Sequence, residues 1–331
     1  MSARALFHDS PERLGHPHYD VDLVSPEVPS GAAWLANCLL ELGVSVWKPW
    51  GSDDRAHWLS LGGLRHRYVG GDNGWSRVLP ALRDGREFAF RAQPCVRAHH
   101  AWPNAHPATR LTLLFVRDPR DALYSAWQRS RRLDAIPPEQ DFVAFCSSPF
   151  FHFPISRQDH LLLFLRVWRR ALDSATGHVT RFEDYRRDPI GTLLAAQRHA
   201  GIDASSQAVQ AAVAASSVER LKVEDRRLQE IGVVPSTIVR GEPPGEYQRH
   251  CDDEAQRRVG SRFGDICAWL GYTPPAAAEA ERRLHSREQV HAGILSALGK
   301  TGVCIDSAGW LASAIFDCAA DIDFATSAST G

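Results

Sequence analysis

Leu111-Thr-Leu-Leu-Phe-Val-Arg-Asp-Pro-Arg-Asp-Ala-Leu-Tyr-Ser125 is the stretch from which the rest of the chain is read. Its first part, Leu111 to Val116, is a continuous apolar run of strand length, the pattern of a parallel strand buried on both faces. Asp118 then suits a helix N-cap, Pro119 the first helical position, and Asp121 stands three residues beyond the cap, where an acidic side chain favours a helix start. A strand that runs at its carboxyl end straight into a helix N-terminus is where open parallel sheets bind ligands. Ser125 follows Asp118 by two helical turns and shares its face. The Arg117 guanidinium and the Ser125 hydroxyl can therefore converge on one anion, with a planar pair of donors and a third hydrogen bond. The same residues also suit a structural Arg–Asp pair at the turn.

Upstream, Val21 to Val24 is a short apolar run, followed by the turn Ser25-Pro-Glu-Val-Pro-Ser-Gly31 and the stretch Ala32 to Leu42. This reads as strand, loop and helix, with Ser30 as N-cap and Gly43 as C-terminal stop. Residues 44–87 are rich in Gly, Trp and charge, too irregular for one long element, and read as substrate-side loops with a short helix. Phe88 to Gln93 alternates like a strand, and one more short strand is expected at Val179 to Phe182. Helices are expected at about 119–132, 139–147, 157–175, 188–200, 206–230 and 252–270. Strands separated by helices imply an α/β chain, a three-layer α/β/α fold with a central parallel sheet covered on both faces. One domain is expected over 1–272. Residues 273–331 are expected to form a C-terminal helix near 276–299 and a mobile Ser/Ala-rich tail.

Composition narrows the function classes. With 331 residues, 44% apolar and 23% charged, the chain can bury a sizeable core and is neither disordered nor fibrous in composition. No apolar run approaches the ~20 residues that span a bilayer. Thirty-eight basic and thirty-nine acidic side chains leave a net charge of −1. No global field attracts nucleic acid or an anionic membrane, so any anion site must be local. The basic set is lopsided: only Lys48, Lys222 and Lys300 are not Arg. The first residues carry Arg, Asp, Glu and Pro where a signal peptide needs an apolar core, so a cytoplasmic location is expected. Seven Cys without a CxxC pair fit reduced thiols, and fifteen scattered His show no ligand spacing, so no metal is expected.

The segment LLFVRDPRDALYSAW closely resembles the motif by which sulfotransferases that use 3′-phosphoadenosine 5′-phosphosulfate (PAPS) hold the 3′-phosphate, with Arg and Ser eight residues apart. Arg117 and Ser125 keep that spacing. Val179 to Pro189 is similar to the family's "RYEDL…DP" segment, with Phe182 in place of the usual Tyr. Ile238 to Tyr247 is similar to its "RKGxxGDW" loop, with Arg240 in the Arg position and Gly245 retained. The resemblance covers roughly residues 20–272 and implies a nucleotide-binding, P-loop-like sulfotransferase fold with PAPS as co-substrate. It places Arg117, Ser125, Arg240 and the amides around Gly241 at the 3′-phosphate, and Phe182 against adenine, where packing needs only the ring.

The loop before the first helix departs from the family's "YPKSGTTWL". Ser30, Gly31, Trp34 and Leu35 match, so an amide cradle and helix dipole can hold a 5′-phosphosulfate. Pro29, however, replaces the Lys, and Ala32 and Ala33 replace the two Thr. The GK[ST] ending of a nucleoside triphosphate loop is also missing, which argues against a phosphotransferase. A cation near the departing oxygen commonly lowers such a barrier by about 2.7–4 kcal/mol; Arg91 and Arg97 are the nearest replacements for the Lys. The resemblance also implies a His general base in a "KTHxP"-like segment. Two registers are open. Val96-Arg97-Ala98-His99-His100 gives His99 as base with His100 as neighbour or substitute, and is preferred; Phe90 to Pro94 would put Gln93 there.

The leading expectation is a sulfotransferase acting on a small-molecule or glycan-like acceptor, with no nucleic-acid partner. Its acceptor pocket would be lined by the Trp-rich 47–75 stretch and by Phe145 to Phe153. The alternative is a catalytically impaired nucleotide-binding relic with an interaction or regulatory role, suggested by Pro29, Ala32 and Ala33. Homo-oligomerisation is left open.

Overall fold

A computed structural model of the chain describes residues 20–47, 57–61, 64–68, 94–103, 110–150, 153–172, 174–230, 239–273, 288, 292 and 310–322. The order begins β1 (Val21–Val24), α1 (Ala32–Glu41), β2 (Ser45–Trp47), a hairpin of β3 (His57–Leu61) and β4 (Leu64–Tyr68), β5 (Cys95–His99), β6 (Leu111–Val116) and α2 (Pro119–Arg132). It continues with α3 (Phe142–Ser147), the short pair β7 (Pro149–Phe150) and β8 (Phe153–Ser156), α4 (Arg157–Ala171), β9 (Gly177–Arg181), α5 (Phe182–Arg187) and α6 (Pro189–His199). The last elements are α7 (Ser206–Ala215), α8 (Val218–Glu230), α9 (Glu246–His250), α10 (Asp253–Gly260), α11 (Gly264–Leu270) and α12 (Trp310–Cys318).

The main sheet has the order β4-β3-β2-β5-β1-β6-β9. From β2 to β9 every neighbouring pair is parallel, and the β3–β4 hairpin extends one edge antiparallel. Strand alternation explains the layers. In β1 and β6, Val21, Leu23, Leu113 and Phe115 face a core shared with α1, α6 and α7. Val24, Leu114 and Val116 face a second core with α2, α3, α4 and α11. Both faces of the central strands are thus apolar, which accounts for their continuous hydrophobic runs. The expected three-layer α/β/α architecture holds. β1 is flanked by β5 and β6, and the chain leaves β1 toward β2 on one side and β6 toward β9 on the other. The crevice at their carboxyl ends is the topological switch point.

Several boundaries differ from expectation for local reasons. The helix expected over 206–230 is two helices. Ser216 ends α7 as its C-cap and is fully buried, its hydroxyl accepting from Asn37 Nδ2 at 2.8 Å; the Ser217 hydroxyl accepts from the Arg220 amide to start α8. The 252–270 helix is interrupted by a 3-10 turn at Ser261–Phe263. Cys95–His99 is a strand; Phe88 to Gln93 lie outside the described residues, as does the helix expected near 276–299 except for residues 288 and 292, which are helical. At its carboxyl end α1 stops as expected. Gly43 has φ 77°, and the Gly43 and Val44 amides donate to the Leu40 and Leu39 carbonyls, which closes the helix with a left-handed residue. Its N-cap is Gly31 at φ 93°, with no capping side chain, so Ser30 does not have the capping role expected of it.

Within 273–331, α12 packs on α4 around Ile155, Val167, Ala314, Ile315 and Ile322. Arg166 pairs with both Asp265 and Asp321, and Arg170 with Asp317. The described cysteines are free thiols, and no described helix is long and apolar enough to cross a membrane.

Candidate functional site

The carboxyl ends of β1, β5 and β6 open into a cavity of about 690 Å³. Its walls bring together Ser30, Gly31, Ala32, Ala33 and Trp34 from the first loop and helix, His99 and His100 at the end of β5, Arg117 and Ser125 around the start of α2, Phe182 after β9, and Arg240 and Gly241.

The Arg117 turn is built as its residues suggest. Asp118 caps α2, accepting from the Arg120 amide at 3.0 Å, with Pro119 at the first helical position. Arg120 folds back on the same carboxylate at 2.8 and 2.5 Å and also donates to the Thr273 carbonyl. The Asp118 amide donates to Glu183 Oε1, which ties α2 to α5. Burial raises the Glu183 carboxyl above its usual value, and the Tyr272 hydroxyl donates to its other oxygen at 2.6 Å. Asp121 reaches across to α9 rather than back to its own helix. It accepts from the Gly245 and Tyr247 amides at 2.6 and 2.8 Å, fixing the 239–247 segment over the cavity.

This pinning leaves Arg117 with a particular vacancy of partners. It is 7% exposed, yet its Nε and Nη2 have no hydrogen-bond partner among the described residues. Asp121 Oδ2 lies 3.5 Å from Nη2, and the guanidinium sits 4.6 Å from the centre of the Phe182 ring. Buried donors without acceptors are costly, and beside the buried Ser125 hydroxyl they form a socket that suits a phosphate oxygen. Phe182 also packs on Gly31, where an added Cβ would come within 2.6 Å of the ring. Trp34 stacks on Tyr185 at 3.9 Å between ring centres. Arg240 is paired with Glu246, whose second carboxylate oxygen lacks a partner among the described residues.

At the other end, the two histidines differ. His99 Nδ1 accepts from the Ala101 amide at 3.0 Å, so the neutral ring carries its proton on Nε2. That nitrogen lies 3.3 Å from Asp22 Oδ1, outside hydrogen-bonding geometry. His100 Nδ1 lies 2.8 Å from the Ser25 carbonyl, which can only accept, so Nδ1 carries the proton and Nε2 the lone pair. Arg97 donates to Asp22 at 3.0 Å and is not among the cavity residues. Asp22 is buried, which raises its pKa, but His99 and Arg97 outweigh burial and hold it below its usual value. Gln93 and Arg91 lie outside the described residues. The described cations of the wall are Arg117, Arg129, Arg132, Arg186 and Arg240, and none comes from the 25–36 loop. Arg129 and Arg132 follow Ser125 at helical spacings of four and seven, and Arg186 follows Phe182 by four; reading those helix faces outward would have found them.

Phe145 and Phe150, expected at an acceptor pocket, are buried in the protein interior, Phe150 against His160 at 4.3 Å. Neither lines the cavity. Burial pushes His160 down to about 4. Among the described residues no cluster of His, Cys, Asp or Glu is arranged to hold a metal.

Residues 104–251 match the model of the sulfotransferase domain family. No curated protein sequence matches the chain significantly. A retinol dehydratase, solved with androsterone and the inactive cofactor PAP, superimposes with a TM-score of 0.50 and 16% identity over 76% of this chain and 82% of its own. The mouse sulfotransferase SULT7A1, solved with PAP, gives 0.50 and 16% over 81% and 91%. At that identity the likeness is one of fold. The domain match covers the Arg117 turn, the β9–α5 junction and the Arg240 loop, so residues 104–251 are similar to the sulfotransferase domain family.

Proposed function

We propose that the protein moves a sulfuryl group from PAPS to a hydroxyl or amine of a small-molecule or glycan-like acceptor and works in the cytoplasm. The observation that carries this reading is the buried Arg117 guanidinium, with unpartnered Nε and Nη2, beside Ser125 in the cavity. PAPS, when bound, supplies the activated sulfuryl group. Arg117, Ser125 and Arg240 hold its 3′-phosphate, with the amides around Gly241. Trp34 and Phe182 flank the nucleotide, and Ser30 with the amides of Gly31, Ala32 and Ala33 takes the 5′ end at the uncapped N-terminus of α1.

His100 takes the acceptor proton on Nε2, since its Nδ1 proton is committed to the Ser25 carbonyl. His99, whose Nδ1 accepts from the Ala101 amide and whose Nε2 faces Asp22, is a positioning residue that fixes the 99–101 turn. Transfer of radiolabel from PAPS to a panel of phenols, alcohols, amines and oligosaccharides tests the reading. His100→Ala should lower turnover by roughly 10²–10⁴-fold with nucleotide affinity intact, whereas loss in His99→Ala alone would return the base to His99.

A second reading has its own support. The loop that meets the 5′ end offers no cationic side chain, and Arg97 is held by Asp22 outside the cavity wall. A nucleotide-binding relic would bind 3′-phosphoadenosine 5′-phosphate (PAP) and transfer no label to any acceptor.

A further inference from the structure

Gly241 has φ 73°, and the place a Cβ would occupy there is already filled. An added Cβ would lie 2.6 Å from Lys222 Cε, 2.7 Å from Val218 Cγ1 and 2.8 Å from Lys222 Nζ. The Lys222 side chain is therefore folded from α8 across the backbone of residue 241, with its ammonium against the loop. Val218, Leu221 and Gly241 all line the cavity, and the exposed Lys222 stands next to them, its ammonium against Gly241 on the outer side of that wall.

The same corner gathers other cations. Arg186 Nη2 lies 3.5 Å from the Gly241 carbonyl, and Arg240 precedes Gly241 directly. Arg240 is balanced by Glu246. Lys222 has no ion pair with a carboxylate among the described residues. An ammonium is a compact charge with three rotatable donors, suited to an anion that offers several oxygens. Its position is also costly to the chain, because only glycine leaves room for the Lys222 stem at that φ.

We propose that Lys222 is a ligand of the nucleotide's 3′-phosphate, delivered from α8 over Gly241, and that it selects nucleotides carrying that phosphate over those lacking it. The inference rests on the nucleotide-binding reading above and adds to it a residue outside all three motif segments.

Calorimetric titration of the full chain with PAP and with 5′-AMP, which lacks the 3′-phosphate, tests it. Lys222→Met keeps the stem over Gly241 and Val218 and removes only the charge. It should weaken PAP by roughly tenfold and leave 5′-AMP unchanged. Lys222→Arg should retain most of the PAP affinity, and thermal melting of both variants should match the parent. If Lys222→Met binds PAP within about twofold of the parent, or loses PAP and 5′-AMP equally, the assignment falls. Failure of the parent to bind PAP at all would overturn the functional reading and this inference with it, whereas PAP binding by the parent and Lys222→Met alike overturns this inference alone.

Discussion

At the carboxyl ends of β6 and β9 the cavity wall is made of charged side chains on short segments pinned to one another, whereas at the carboxyl end of β1 it is made of backbone. In the first region Asp118 caps α2, Asp121 holds the Gly245 and Tyr247 amides, and Glu183 holds the Asp118 amide. Arg117 is thereby presented to the cavity with Nε and Nη2 unpartnered among the described residues, and Ser125 lines the same cavity. In the second region Gly31 caps α1 without a side chain, Pro29, Ala32 and Ala33 offer no donor beyond backbone, and the adjacent Arg97 is drawn away by Asp22. The difference teaches that a site can keep its recognition end and its reacting end under separate physical control. Charged side chains set affinity at one end, while geometry and the helix dipole do the work at the other.

The largest effect is expected from removing the first region's centre. Arg117→Ala should weaken PAP binding by on the order of 100-fold, since two charge-assisted hydrogen bonds are lost together; calorimetry checks it, and unchanged affinity would place the phosphate elsewhere. Supplying the second region with the cation it lacks should act on rate instead. Pro29→Lys should raise sulfuryl transfer by about 100-fold at similar PAP affinity, the size associated with one transition-state donor. An unchanged rate would mean that another group already covers the departing oxygen.

Smaller effects test how the regions are held. Gly31→Ala forces a Cβ to 2.6 Å from the Phe182 ring at a φ that side chains rarely adopt, and should cost about 1–3 kcal/mol of stability while weakening PAP. Asp22→Asn should release Arg97 and His99. The folded pKa of Asp22 lies below the usual 3.8, so between the folded value and that reference the unfolded chain binds more protons. The contribution of Asp22 is complete above about pH 4 and is lost as pH falls through the folded value. Acid unfolding of Asp22→Asn should accordingly be shallower below pH 4, with a loss of about 1 kcal/mol at neutrality; superimposable acid limbs would remove Asp22 from this role.

What could be read in advance follows the reach of each interaction. The Leu111–Val116 strand, the Asp118 cap and α2 are fixed by neighbours within a few residues, and α2 spans the range expected of it. The Gly31 cap escaped because its cause is the Phe182 ring, distant in sequence. Asp121 looked like part of a local helix start, and its partners prove to be amides more than a hundred residues away. The break at Ser216 likewise depends on Asn37. The cavity's membership was legible because strand ends and helix starts converge by topology, whereas the separate tautomers of His99 and His100 depend on which backbone group each ring meets.

The smallest expected change concerns Glu246, a buried acid at the charged end. It pairs with Arg240 and, at 3% exposure, leaves Oε2 without a partner among the described residues. A carboxylate there neutralises Arg240 in the free protein and opposes an incoming phosphate, so part of the binding energy goes into separating the pair. Glu246→Gln keeps the shape and the hydrogen bond to Arg240 through its amide oxygen while removing the charge. PAP affinity should rise by roughly threefold, and the gain should vanish in the Arg240→Ala background, because the effect acts through that guanidinium. Weaker binding in Glu246→Gln would show that the acid instead orients Arg240, and that the charge itself is needed to aim the donor fork.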